Sequence, residues 1–138
     1  MRVPNLEWIV LSIVREKCLM RVLNAAGGIQ VIRNVAERVQ TLHKAGLVHR
    51  DLKPANILWL PRKNCWTIID FATVASIGTD MPPAYTLPYA APEALEARSD
   101  GFKVHAGAAL DAWSVGVIAF ELLTGNSPFP DGASAEKV

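Results

Sequence analysis

One stretch constrains this chain more than any other: His49-Arg50-Asp51-Leu52-Lys53-Pro54-Ala55-Asn56, followed at once by Ile57-Leu58-Trp59-Leu60. It sets an acid, an amide and two cations, Arg50 and Lys53, between apolar segments. Polar groups so placed are costly beside a core unless they are put to use. Pro54 fixes its own φ and biases Lys53 away from helix, so Asp51 and Asn56 sit on a stiff turn.

Phosphoryl transfer needs such a set of groups. A carboxylate accepts or orients the proton of an attacking hydroxyl, a cation neutralises charge on the moving group, and an amide oxygen holds magnesium. Asp51, Lys53 and Asn56 fit those roles in order. On these residues the stretch resembles the catalytic loop of eukaryotic protein kinases. Lys53, two residues after Asp51, resembles the serine/threonine-specific branch. The resemblance implies an α+β, protein-kinase-like fold: a mostly helical large-lobe fragment with short hairpin strands at the catalytic cleft. His49 and Arg50 would then support the loop.

Composition is compatible with this. The chain has 138 residues, is 51% hydrophobic and 20% charged, and carries a net charge of +1. That suits one small globular domain and points to neither nucleic acid nor a membrane surface. Cys18 and Cys65 lack disulfide or metal spacing, so reduced thiols and a cytoplasmic address are expected. No leader-peptide pattern opens the chain.

Residues 8–14 are β-branched and apolar, and read as a buried strand. Residues 16–26 read as a helix ended by Gly27-Gly28. Ile29, Ile32, Val35, Val39 and Leu42 then form an apolar stripe, with Arg33, Asn34, Glu37, Arg38 and Gln40 opposite, and Gly46 as the stop. His43 near its end reads as structural or exposed rather than as a ligand. Residues 56–60 and 67–69 read as two strands of a hairpin turned at residues 61–64, with Trp59 and Trp66 as cross-strand neighbours.

The hairpin delivers Asp70-Phe71-Ala72. This resembles the family's magnesium-binding Asp-Phe-Gly, with Ala72 in place of glycine. Asp70 would hold metal against the nucleotide phosphates, and Phe71 would pack under the small lobe. Residues 73–88 read as a loop where the activation segment falls, with Ser76 and Thr79 as candidate phosphorylation sites. Thr86 stands where the family has a threonine that contacts the catalytic Asp and Lys; Tyr85 replaces the usual preceding glycine. Ala91-Pro92-Glu93 resembles the motif that closes the segment. Glu93 would be buried and pair with an arginine that this chain does not supply, which predicts a destabilising charge.

Residues 96–110 read as a loop or broken helix, longer than the family norm. Residues 111–125 are apolar nearly all round, the pattern of a buried helix. Asp111 can cap its start, and the resemblance also implies that Asp111 holds the catalytic-loop backbone.

The family's Gly-rich loop and strand lysine have no counterpart in these residues. Residues 1–138 are therefore expected to be a partial kinase domain, running from near the hinge to the central large-lobe helix. An exposed apolar rim should favour aggregation. ATP and magnesium are the implied cofactors, and a protein the implied substrate. Three activities stay open: a serine/threonine protein kinase, a non-catalytic kinase-like binding or regulatory module, and a small-molecule phosphotransferase of related fold.

Overall fold

The computed structural model describes residues 25–129. The expected strand at 8–14 and nearly all of the expected helix at 16–26 lie outside them.

Helix α1, Ala25–Lys44, opens the described chain. It runs through Gly27 and Gly28, which were expected to end a helix. The reason lies in packing: a Cβ on Gly28 would stand 3.4 Å from the Leu122 carbonyl oxygen, so a small residue lets two helices meet. The buried stripe is Val31, Val35 and Val39, four residues apart. Ile29, placed on that stripe by its spacing, is half exposed. Asn34, placed on the polar face, is buried, and its Oδ1 accepts the Trp66 N–H at 3.0 Å. Gly46, at φ 77°, turns the chain after α1.

Strand β1, Leu47–Val48, leads into the catalytic-type loop. Strands β2, Ile57–Leu60, and β3, Cys65–Ile68, form an antiparallel hairpin in the register Ile57↔Ile68 and Trp59↔Trp66. The two indole rings meet at 5.2 Å, as their pairing predicts. The turn is a 3-10 turn at Pro61–Lys63 closed by Asn64 in the left-handed region.

The stretch at 73–88, expected to be loop throughout, contributes two short strands. Strand β4, Ala75–Ser76, pairs with β1, and β5, Asp80–Met81, pairs with β6, Val104–His105. Helix α2, Pro92–Ser99, and strand β6 replace the expected loop or broken helix after residue 96. Helix α3, Ala108–Thr124, ends at Gly125, φ 71°.

The main core joins Val31, Val35 and Val39 of α1 to Leu52, Ile57, Ile68, and Ile118 and Leu122 of α3. A second cluster gathers Val48, Ala91, Ala94, Val104 and Leu110. The catalytic-type loop runs between the two, with Val48 in one and Leu52 in the other. Trp113, Phe120 and Leu123 form an exposed apolar side of α3. Among the described residues no helix is long and apolar enough to cross a membrane.

Candidate active site

Asp111 organises the site. It is fully buried and lies in the first turn of α3. Its Oδ1 accepts the Arg50 N–H at 2.9 Å, and its Oδ2 accepts the His49 N–H at 2.9 Å. His43 Nε2 donates to Oδ2 at 2.8 Å, so the histidine at the end of α1 is structural. Gly107, not Asp111, takes the N-cap position of α3. The carboxylate serves the loop instead of its own helix, because two buried main-chain donors and the half-buried His43 converge on it.

Those bonds hold Arg50 at φ 75°, a left-handed backbone that costs a non-glycine residue about 1 kcal/mol. The Arg50 guanidinium is buried. Nη1 donates to the Thr73 carbonyl at 3.3 Å and Nη2 to the Pro82 carbonyl. Burial pushes its pKa below the usual guanidinium value. His49 is also buried. Its Nε2 donates to the Ile69 carbonyl at 3.1 Å, while Nδ1 accepts the Asp51 N–H at 3.3 Å, which fixes the tautomer. One imidazole thus links the loop carrying Asp51 to the residue before Asp70.

Asp51, Lys53 and Thr86 converge. Thr86 Oγ1 donates to Asp51 Oδ1 at 2.7 Å, Lys53 Nζ donates to Thr86 Oγ1 at 2.9 Å, and Lys53 Nζ lies 3.1 Å from Asp51 Oδ2. Both charged side chains keep partial access to solvent. Asn56, buried at the end of the 3-10 turn Pro54–Asn56, donates through Nδ2 to the Asp51 carbonyl at 2.8 Å. Its main-chain oxygen accepts the Ile69 N–H at 2.9 Å, which sets the loop beside the strand leading to Asp70.

Asp70 is exposed, at φ 64°. Its Oδ1 accepts a long 3.4 Å bond from the Ala72 N–H. The positive φ therefore falls on Asp70 and not on Ala72, so alanine there carries no left-handed cost. Phe71 is half exposed and its ring meets His49 at 5.4 Å. A magnesium ion fits this donor set: a hard cation takes oxygen, keeps most of its waters, and asks the protein for few ligands. The Asp70 carboxylate is open, and the Asn56 amide spends its nitrogen on Asp51, which leaves its oxygen for a cation.

Glu93 lies apart from this group. It is exposed in the first turn of α2, so the expected buried, unpaired carboxylate does not arise. Spacing gave no sign of two further residues. Ser114 Oγ donates to the Tyr89 carbonyl at 2.8 Å, and Tyr89 donates its hydroxyl to Glu121 at 3.0 Å, so α3 grips the segment after Thr86. A polar residue inside an apolar helical run was the available signal for Ser114 and Glu121.

Comparison with known proteins points the same way. A family model described as "Protein kinase domain" matches residues 5–138. Citron rho-interacting kinase from Rattus norvegicus is 39% identical over 101 residues, which is 70% of this chain and 5% of that protein. Ribosomal protein S6 kinase alpha-1 from Mus musculus is 35% identical over 111 residues, 75% of this chain and 14% of that protein. The chain thus spans a small part of the curated relatives it matches. Among solved structures, the Cydia pomonella granulovirus kinase PK-1 superposes with a TM-score of 0.68 at 28% identity, over 80% of this chain and 39% of that one.

Proposed function

The chain belongs to the protein kinase family, and from that premise we propose that the protein carrying it transfers the γ-phosphoryl group of ATP to serine or threonine hydroxyls of a protein substrate. The observation that carries the reading is the bridge in which the Thr86 hydroxyl joins Asp51 to Lys53. Asp51 orients the substrate hydroxyl and takes its proton. Lys53 stays within reach of the transferring group and offsets its developing charge. Asn56 and Asp70 would hold magnesium, which would supply positive charge against the nucleotide phosphates. His49, Arg50 and Asp111 keep the loop in place, and Phe71 covers His49. Lys53, two residues after Asp51, favours serine and threonine over tyrosine.

The same reading makes residues 1–138 a partial kinase domain. The Gly-rich loop and strand lysine that complete a nucleotide site are not among them, so these residues alone are expected to be inactive. It also places the protein in the cytoplasm, in keeping with two cysteines that lack disulfide spacing.

The test is transfer of labelled phosphate from ATP to serine, threonine and tyrosine peptides by the protein that carries this chain. Asp51→Asn should lower kcat by about 10³-fold while the fold survives. Unchanged transfer in Asp51→Asn would remove Asp51 from the chemistry. No transfer by the unaltered protein, with nucleotide still bound, would favour the non-catalytic module.

A further inference from the structure

We propose that Tyr85, braced by Arg98, is the positioning residue that holds the Thr86 hydroxyl between Asp51 and Lys53. This rests on the phosphotransfer reading above.

Thr86 stands just before the 3-10 turn Leu87–Tyr89. A threonine there commonly spends its hydroxyl on the free N–H groups of the turn. Thr86 makes no such bond, and its oxygen spans Asp51 and Lys53 instead. Those two bonds hold the hydroxyl away from its own turn, and they form only where the backbone at Thr86 is placed to reach both partners.

Its backbone is extended, φ −106° and ψ 125°, and extended backbone sends neighbouring side chains to opposite sides. The neighbour is Tyr85. Its ring packs on the cluster of Val48, Ala91, Ala94, Val104 and Leu110. Its hydroxyl accepts a bond from Arg98 Nη1 at 3.1 Å, and the same guanidinium lies 5.8 Å from the ring centroid. Arg98 sits in the last turn of α2. The ring is thus fixed at its body by a core cluster and at its tip by a helix. Val48 of that cluster directly precedes His49, so the anchor of Thr86 and the root of the catalytic loop share one core. A glycine at position 85 would supply no such anchor and would free the backbone.

The experiment compares Tyr85→Gly, Tyr85→Phe and Arg98→Ala in the protein that carries this chain. Three-bond couplings to the Thr86 γ-methyl report its rotamer, a quantity that general stability does not move. The unaltered protein should show a single rotamer, and Tyr85→Phe should retain it. Tyr85→Gly should show averaging, with kcat down about tenfold or more and KM for ATP unchanged. Arg98→Ala should cost kcat about threefold. A single Thr86 rotamer in Tyr85→Gly overturns the proposal. Should that variant not fold, Tyr85→Leu keeps the cluster filled, and a single rotamer in it together with Arg98→Ala overturns the proposal equally. Thr86→Ala separates the two readings. Full activity there faults the role given to Thr86, while the rotamer data still decide whether Tyr85 positions it.

Discussion

Replacing Asp111 with asparagine tests the arrangement most directly. The carboxylate is fully buried and receives three hydrogen bonds, from the His49 N–H, the Arg50 N–H and His43 Nε2. Asparagine keeps one oxygen. If it replaces Oδ2, the His49 and His43 bonds survive without their charge, and the new amide group faces the Arg50 N–H, donor against donor. A buried donor left unpaired costs about 1–3 kcal/mol, and the weakened bonds add about 1 kcal/mol. The orphaned N–H belongs to the residue held at φ 75°, so the strain there loses its restraint. The sum is about 3 kcal/mol. At a urea m-value of about 2 kcal/mol/M, the unfolding midpoint should fall by roughly 1.5 M with m unchanged. Hydrogen exchange at the His49 and Arg50 amides should speed up more than exchange along α1. A midpoint shift below about 0.5 M, with both amides still protected, would refute the claim that Asp111 holds the loop.

Two other substitutions probe the frame. Ile118→Ala removes a side chain buried in the main core, and should cost about 3 kcal/mol by chemical denaturation. Glu121 is buried, and burial pushes its carboxyl above the usual range while the Tyr89 hydroxyl pulls it back. A raised folded value means that its contribution is full when the group is protonated, below the unfolded carboxylate range, and is lost as pH rises through the folded value. Glu121→Gln keeps an acceptor for Tyr89 without the charge. It should match or exceed the unaltered protein in thermal stability at neutral pH, and should flatten the fall in stability as pH rises above the ordinary carboxylate range. A marked loss of stability at neutral pH would show that the charge itself is needed.

The sequence carried the parts of the fold whose signal is local. The Trp59 and Trp66 pairing follows from alternation across a proline-containing turn, and the apolar run of α3 announces a buried helix. Asp51, Lys53 and Thr86 come together in space. Asp51 and Lys53 are neighbours in one loop, while Thr86 could be joined to them only through the family resemblance, not through any local pattern. What periodicity missed was decided by distant partners. Ile29 was counted into the stripe by its spacing, but the position that meets α3 in that turn is Gly28, and Ile29 beside it is half exposed. Asn34 has a polar side chain and is nonetheless buried, because the Trp66 N–H needs an acceptor. Gly27-Gly28 spells a helix end, and instead the helix runs on and Gly28 lets α1 approach α3. Asp111 spells a cap and instead serves another loop.

The strands inside the stretch at 73–88 show how its order is obtained. They are two residues long, too short for any pattern to show. Main-chain bonds do the holding on both sides. The Ile77 N–H donates to the Gly46 carbonyl at 2.8 Å, extending the β1–β4 pairing. The Gly78 N–H donates to the Ala106 carbonyl and the Ala106 N–H to the Thr79 carbonyl, both at 2.8 Å, extending the β5–β6 pairing. Backbone groups look alike in every sequence, so a ladder of this kind leaves no residue signature. Arg50 joins from within, through the Thr73 and Pro82 carbonyls. The segment between α2 and α3, which as sequence reads as a loop or broken helix, supplies β6 and with it half of that hold. The same segment supplies Val104 to the cluster under Tyr85, so the strand that steadies residues 73–88 also seats the residue that precedes Thr86.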